Sequence, residues 1–210
     1  MVFFTGFPGF LGSALVERIL DREPAGSPVV CLIQDKFRAQ AEQRVAEIEQ
    51  GQPHRRGRIR LVNGDISRPD LGQGAACDPL QQETRELYHL AAVYDLGVGR
   101  ELAWRVNVTG TQEVLRFAAG CPQLVRFHYV STCYVSGRYP GEYTEDDLSV
   151  SQTFNNNYDE TKYLAELSVQ QAMAGGLPAT IYRPSVVVGD SKSGATPKYD
   201  GPVSYTHLTL

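Results

Sequence analysis

The stretch T-G-F-P-G-F-L-G, Thr5 to Gly12, follows directly on the apolar run Val2-Phe3-Phe4. Its glycines, Gly6, Gly9 and Gly12, recur at three-residue intervals. Glycine tolerates positive φ and lets a backbone approach a ligand, or a helix approach a strand, more closely than any other residue. A strand that ends in such a turn and feeds a helix aims several free N–H groups and the positive end of the helix dipole at one spot, which suits an anion. Taken alone, the triplet equally fits a glycine loop that binds nothing, so the surrounding sequence decides.

That sequence alternates between short apolar runs and longer segments with helical spacing. The runs predict strands near Val2 to Thr5, Pro28 to Ile33, Arg58 to Asn63, Glu86 to Ala91, Leu124 to Ser131 and Ala179 to Arg183. The clearest helices are predicted over Phe10 to Arg22, Arg38 to Gln50, Arg100 to Ala119 and Asn157 to Ala174, the last stopped by Gly175-Gly176. Alternation of this kind predicts an α/β fold, a doubly wound parallel sheet in a three-layer αβα (Rossmann) arrangement, with ligands beyond the carboxyl ends of the strands. The glycine triplet then lies where a dinucleotide pyrophosphate sits. Thr5, Gly6, Phe7, Pro8, Gly9, Phe10, Leu11 and Gly12 become candidate cofactor contacts.

With 210 residues, of which 42% are hydrophobic, the chain has material for one good-sized core. A formal net charge of -4 supplies no basic field for nucleic acid. The basic cluster His54 to Arg60 reads as a solvated loop. Cys31, Cys77, Cys121 and Cys133 form no C-x-x-C pair, so neither a disulfide framework nor a zinc site is indicated, and a reducing cytoplasm fits. No membrane span, export signal or metal site is expected.

At the end of the second strand a dinucleotide fold meets the adenosine ribose, where an acid accepts from both hydroxyls and a basic group welcomes a 2′-phosphate. Gln34 falls at that position, with Lys36 and Arg38 close behind, which favours NADP(H). Asp35 is the competing residue: a one-residue shift of the strand end makes it the ribose acid and NAD(H) the cofactor. At the end of the third strand Asp65 can accept from the adenine amino group while Ile66 packs on the ring. Asp65 can also be a plain turn residue after Asn63-Gly64.

Tyr158 and Lys162 lie four apart, hence on one helix face. A free phenol titrates near pH ~10, and an ammonium group one turn away is expected to lower that value. Tyr158 could then exchange a proton with a substrate oxygen while Lys162 bonds the nicotinamide ribose. A solvated helical pair is the other reading of an isolated Y-x-x-x-K. Ser131 and Thr132 put two hydroxyls at the end of the fifth strand, where Thr132 could donate to the same oxygen or the pair could merely cap the strand.

T-G-F-P-G-F-L-G, Gly64-Asp65-Ile66, His89-Leu90-Ala91-Ala92, Asn107-Val108-Thr109-Gly110-Thr111, Val130-Ser131-Thr132, Tyr158 to Lys162 and Arg183 to Asp190 together resemble the extended short-chain dehydrogenase/reductases in order and spacing. The resemblance implies a catalytic triad of Thr132, Tyr158 and Lys162, with Asn107 as a fourth member. It also implies that Ala91, Ala92 and Val93 and the Arg183-Pro184-Ser185 loop border the nicotinamide half of the cofactor. Gly64 to Gly72, with Val188 to Ser191 and Gly194, resembles the branch that holds thioester reductase domains, fatty acyl-CoA reductases and a group tied to polyketide biosynthesis. That branch implies hydride delivery to an acyl thioester or the derived carbonyl, on a small-molecule or carrier-bound acyl substrate. Nucleotide-sugar epimerases and dehydratases, or a hydroxysteroid-type dehydrogenase, share the triad and are the runner-up. A cofactor-binding sensor or scaffold without catalysis is the non-enzymatic alternative, against which the intact triad argues.

Residues 1–202 read as the dinucleotide-binding domain, stopping before the carboxyl-terminal substrate domain that the resemblance implies. Val203 to Leu210 read as the translation of a sequencing adapter, or else as a genuine strand. Family members often pair through the two long helices, so a homodimer is a further expectation.

Overall fold

Val2-Phe3-Phe4-Thr5 forms strand β1 (Val2–Thr5), and all four residues are buried, since a parallel strand covered on both faces has no wet side. Alternate side chains leave in opposite directions: Phe3 stacks on Phe117, ring centroids 4.6 Å apart, and Phe4 on Tyr88 at 5.9 Å. The same logic governs β2 (Val29–Ile33), every residue of which is buried. Strands β3 (Ile59–Asn63), β4 (Glu86–His89), β5 (Arg126–Val130) and β6 (Ala179–Tyr182) complete a six-stranded sheet in the order β3-β2-β1-β4-β5-β6, each pairing parallel. The computed structural model describes residues 1–95, 97–189 and 194. The expected tail, Val203 to Leu210, and the Asp190-Ser191 part of the branch motif lie outside the described residues.

Two layers of helices enclose the sheet. Helices α1 (Phe10–Arg22) and α2 (Arg38–Glu49) bury Val16, Ile19, Leu20, Ala41 and Ile48 against Phe4, Val29, Cys31 and Ile33. On the opposite face α3 (Cys77–Glu83), α5 (Gly110–Ala119) and α6 (Asn157–Ala174) cover Phe3, Val30, Leu87, Phe127 and Tyr129. The strand order reverses between β1 and β4, and at such a switch point the loops leaving the two strands diverge and open a crevice. The glycine loop leaves β1 there and residues 90–95 leave β4.

The long helix expected over Arg100 to Ala119 is present with a defect. A four-residue α4 (Arg100–Ala103) passes into a π-helical segment, Trp104–Thr109, before α5 begins. Such segments recur at functional sites because they redirect a side chain that a regular helix would aim elsewhere. Helix α3 has no counterpart in the apolar pattern. Its Pro79 sits in the first turn, where the missing N–H costs nothing.

Part of the basic cluster is not solvated. Arg58 is only 6% exposed, and its guanidinium donates to the carbonyls of Leu20, Glu23, Pro24, Ser27 and His54, closing the end of α1. Arg55 pairs with Asp21 and Glu17. Neighbouring acids and carbonyls therefore take up much of this charge. Among the described residues no helix is long and apolar enough to cross a membrane.

The segment Gly64 to Gly72 folds back on the sheet end. The Asp65 amide donates to the Leu71 carbonyl at 3.0 Å, and Asp70 and Leu71 both adopt left-handed φ, 52° and 56°. A left-handed leucine costs roughly 1 kcal/mol. Its side chain is fully buried in the core, which contributes about 2 kcal/mol and outweighs that cost.

Candidate active site

The glycine loop has the shape of an anion seat. Gly6 has φ of 100°, and a Cβ there would stand 2.8 Å from Leu90 Cβ and 2.9 Å from the Ala91 nitrogen. A Cβ on Gly12 would strike the Gly6 carbonyl oxygen. The Gly9 amide closes the turn on the Gly6 carbonyl at 3.0 Å, and the Gly9 carbonyl accepts the first helical bond, from Ser13, at 2.8 Å. The first amides of α1 therefore have no helical acceptor. Among the described residues no side chain caps them, and no acid lies in the first turn. Phe10 and Leu11 are 37% and 38% exposed, so this positive helix end opens outward. A dinucleotide pyrophosphate fits such a seat.

The adenosine end is laid out by β2 and β3. Gln34 donates to Asp65 Oδ2 at 2.8 Å, while Asp65 Oδ1 accepts from the Ser67 amide at 2.9 Å and its hydroxyl at 2.7 Å. Burial alone would raise the Asp65 carboxyl, but these donors outweigh it and hold the group below its ordinary value. Asp65 is thus the acceptor of its own turn. The Ile66 side chain is buried against the Gly110 position of α5. Lys36 lies 4.9 Å over the Phe37 ring, and Arg38 reaches Asn63 and Glu42. Asn63 also donates to Asp35.

A buried hydrogen-bond chain ties the loop to the far helices. The Ala91 amide donates to Thr5 Oγ1 at 3.3 Å, which lies 2.7 Å from His89 Nδ1. His89 Nε2 is 3.0 Å from Thr111 Oγ1, and that hydroxyl donates to the Asn107 carbonyl at 2.6 Å. Thr111 has given its proton to a carbonyl, so it accepts from His89 Nε2–H, and His89 Nδ1 accepts from Thr5. Only neutral imidazole satisfies both ends. Accordingly burial, aided by Lys162, drops the His89 pKa from 6.5 to about 3. The unfolded chain takes up a proton near pH 6.5 that the folded chain refuses, so acid favours unfolding. Between about pH 6.5 and about pH 5 this group is expected to remove about 1.6 kcal/mol of stability, the slope approaching ~1.4 kcal/mol per pH unit at the acid end. Urea unfolding across that range should show the slope flattened in His89→Gln relative to the parent; equal slopes would rule it out.

Thr132, Tyr158 and Lys162 come together beyond the end of β5. The Thr132 hydroxyl neighbours the Tyr158 phenol and favours its ionised form, and the Tyr94 ring stands edge-on to Tyr158 at 5.6 Å. Lys162 is 4% exposed, and Nζ donates to the Tyr129 hydroxyl and the Val130 carbonyl, both at 2.8 Å. This corrects one expectation. The Tyr158 phenol is not lowered: burial raises it to about 12, against the pull of Thr132. Lys162, one turn along α6, reaches β5 instead, and burial brings its own pKa down to about 7, with Glu166 opposing.

Asn107 and Arg183 are both engaged by the protein itself. Asn107, 1% exposed on the π-helical segment, accepts from the Val93 amide at 2.8 Å and donates to Thr161 at 3.1 Å, so its amide pins the loop after β4 to α6. Arg183 donates to Glu166 and to the carbonyls of Thr144 and Asp147. Its guanidinium is taken up there. What the Arg183-Pro184-Ser185 turn offers is Pro184, whose carbonyl accepts from the Cys133 amide at 3.1 Å, and an exposed Ser185. Ala91, Ala92 and Val93 line the loop directly after β4, half-buried. Tyr94, Tyr129 and Glu166 were not singled out in the sequence. Glu166 had a usable signal, four residues beyond Lys162 on the same helical face.

A family model described as "male sterility protein", for an NAD-binding domain, matches residues 4–208. The chain belongs to that family. Among curated proteins it is 30% identical to a linear gramicidin synthase polypeptide of Brevibacillus parabrevis, over 93% of this chain and 4% of that protein. It is 29% identical to the fatty acyl-CoA reductase wat of Drosophila melanogaster, over 89% of this chain and 43% of that protein. Among solved structures the terminal R domain of the myxalamid PKS-NRPS biosynthetic pathway superposes with a TM-score of 0.81 at 31% identity, covering 92% of this chain and 50% of that one. The chain therefore spans half or less of each of these relatives. Membership in a family of NAD-binding domains agrees with the glycine seat: the cofactor is a nicotinamide dinucleotide.

Proposed function

We propose that the protein is an NADPH-dependent reductase of acyl thioesters, taking its acyl group from a carrier protein or coenzyme A. The observation that carries this reading is the paired Thr132 and Tyr158 hydroxyls, with Lys162 buried one helical turn beyond Tyr158 and bonded to β5, at the same sheet edge as the glycine seat. The likeness to the R domain and to a fatty acyl-CoA reductase supports the thioester as substrate. When bound, the reduced nicotinamide supplies the hydride. Thr132 and Tyr158 hold the substrate oxygen and donate to it as negative charge develops there. Burial keeps the Tyr158 proton in place until that oxygen becomes basic enough to take it. The Lys162 ammonium, anchored on β5, supplies a positive field that steadies the phenolate left behind. Lys36 and Arg38 would face a 2′-phosphate, the reason for preferring NADPH.

The test is consumption of reduced cofactor by the protein with acyl-CoA and acyl-carrier thioesters. Thioester-dependent oxidation is expected, with NADPH favoured over NADH by about tenfold through charge-assisted contacts. Turnover of a nucleotide sugar without net cofactor consumption would place the protein with the epimerases instead. Cofactor binding without turnover of any of these substrates would make it a binder. Equal use of NADH would remove the part assigned to Lys36 and Arg38.

A further inference from the structure

Helix α6 buries a charge that the proposed chemistry does not use. Glu166 is fully buried, eight residues after Tyr158 and four after Lys162, on the same face. One carboxylate oxygen accepts from the Ser131 hydroxyl, and the other from Arg183, through Nε at 3.0 Å and the terminal nitrogen at 2.6 Å. A buried carboxylate is costly unless it is paired and hydrogen-bonded, and here both oxygens are engaged.

The neighbours divide by element. From just past the end of β5, Ser131 faces the carboxylate, and from β5 Tyr129 faces Lys162. From β4, His89 faces Lys162 as a neutral ring and adds no charge. From beyond β6 comes Arg183, which also lies 5.4 Å over the Tyr143 ring and has Glu145 in its field. Glu166 is the group whose charge opposes the effect of burial on Lys162.

We propose that Glu166 is a positioning residue of this site. Through Ser131 it fixes the strand end that carries Thr132, and through its charge, one helical turn beyond Lys162, it keeps the ammonium protonated in a dry core. Arg183 holds the carboxylate in its ionised, correctly placed form. The part played in catalysis rests on the reductase reading; the charge coupling does not.

The coupling can be read without turnover. The sequence has four lysines, Lys36, Lys162, Lys192 and Lys198, so the Lys162 side-chain resonance of lysine-labelled protein can be assigned with a Lys162→Met variant. In Glu166→Gln, which preserves shape and acceptor but not charge, the Lys162 titration is expected to move acidward by about 1 pH unit. In an active enzyme the alkaline limb of kcat/KM should move with it. A merely structural role would lower stability and leave the titration in place. Should Glu166→Gln fail to fold, the double variant Glu166→Gln/Arg183→Met, which removes both buried charges together, carries the same expectation. An unmoved or alkaline-shifted Lys162 titration overturns the proposal even if the parent reduces thioesters, whereas a parent inactive on every thioester overturns the reductase reading and leaves the titration result standing.

Discussion

Tyr158→Phe is expected to abolish turnover while leaving cofactor binding intact. Phenylalanine keeps the ring that Tyr94 contacts edge-on and removes only the hydroxyl beside Thr132. Loss of one preorganised donor to a developing oxyanion costs about 3 kcal/mol of barrier, roughly a hundredfold or more in rate. In the proposed mechanism the same hydroxyl is also the proton source, so the loss should reach the limit of detection. The pyrophosphate seat lies on other elements, the β1–α1 turn, and should not sense the change. Titration of the variant with NADPH, followed by quenching or calorimetry, together with a turnover assay, decides the matter. A folded variant that no longer binds cofactor, or one that still turns over, contradicts the role given to Tyr158.

Gly12→Val is expected to have the converse effect, weakening cofactor binding by about a hundredfold. A side chain at this position runs into the Gly6 carbonyl, so helix and turn must separate. Overpacking of that kind costs about 1–3 kcal/mol, and the upper end corresponds to a hundredfold in affinity when the strain falls on the binding geometry. The first-turn amides would then point away from the place where they converge. Alanine should do less harm than valine, because its single methyl leaves less to accommodate. Equal affinity of Gly12→Val and the parent, by the same titration, would show that the anion does not rest on this helix end.

The local features of this fold were legible in the sequence because their causes are local. The β1 strand, α1 and α6 begin and end where the apolar runs, the glycine turn and the Gly175 stop place them. Spacing alone brought Tyr158 and Lys162 to one helix face. What spacing cannot express is what lies across the sheet. Lys162 meets Tyr129 on β5, and the depth of burial, which raises the Tyr158 phenol and lowers the Lys162 ammonium, is set by what the sheet and helices stack over them. Arg183 is engaged by Glu166 and by carbonyls nearly forty residues upstream, Thr144 among them. Ile66 is covered by a helix that begins at Gly110. The π-helical segment is hidden for another reason: it slips the helical period by a single residue, too little to disturb an apolar pattern, yet enough to turn Asn107 toward Val93 and Thr161.

The position of β1 has a bearing on biosynthesis. Val2–Thr5 lies between β2 and β4, and its second neighbour, Glu86–His89, emerges from the ribosome long after it. Until then the Val-Phe-Phe run of the nascent chain has one bare hydrogen-bonding edge, and its cover from α5 arrives later still. Such a segment is prone to adventitious strand pairing. The growing polypeptide therefore passes through a window of exposure that narrows when β4 pairs with β1 and closes only when α5, later still in the chain, covers Phe3.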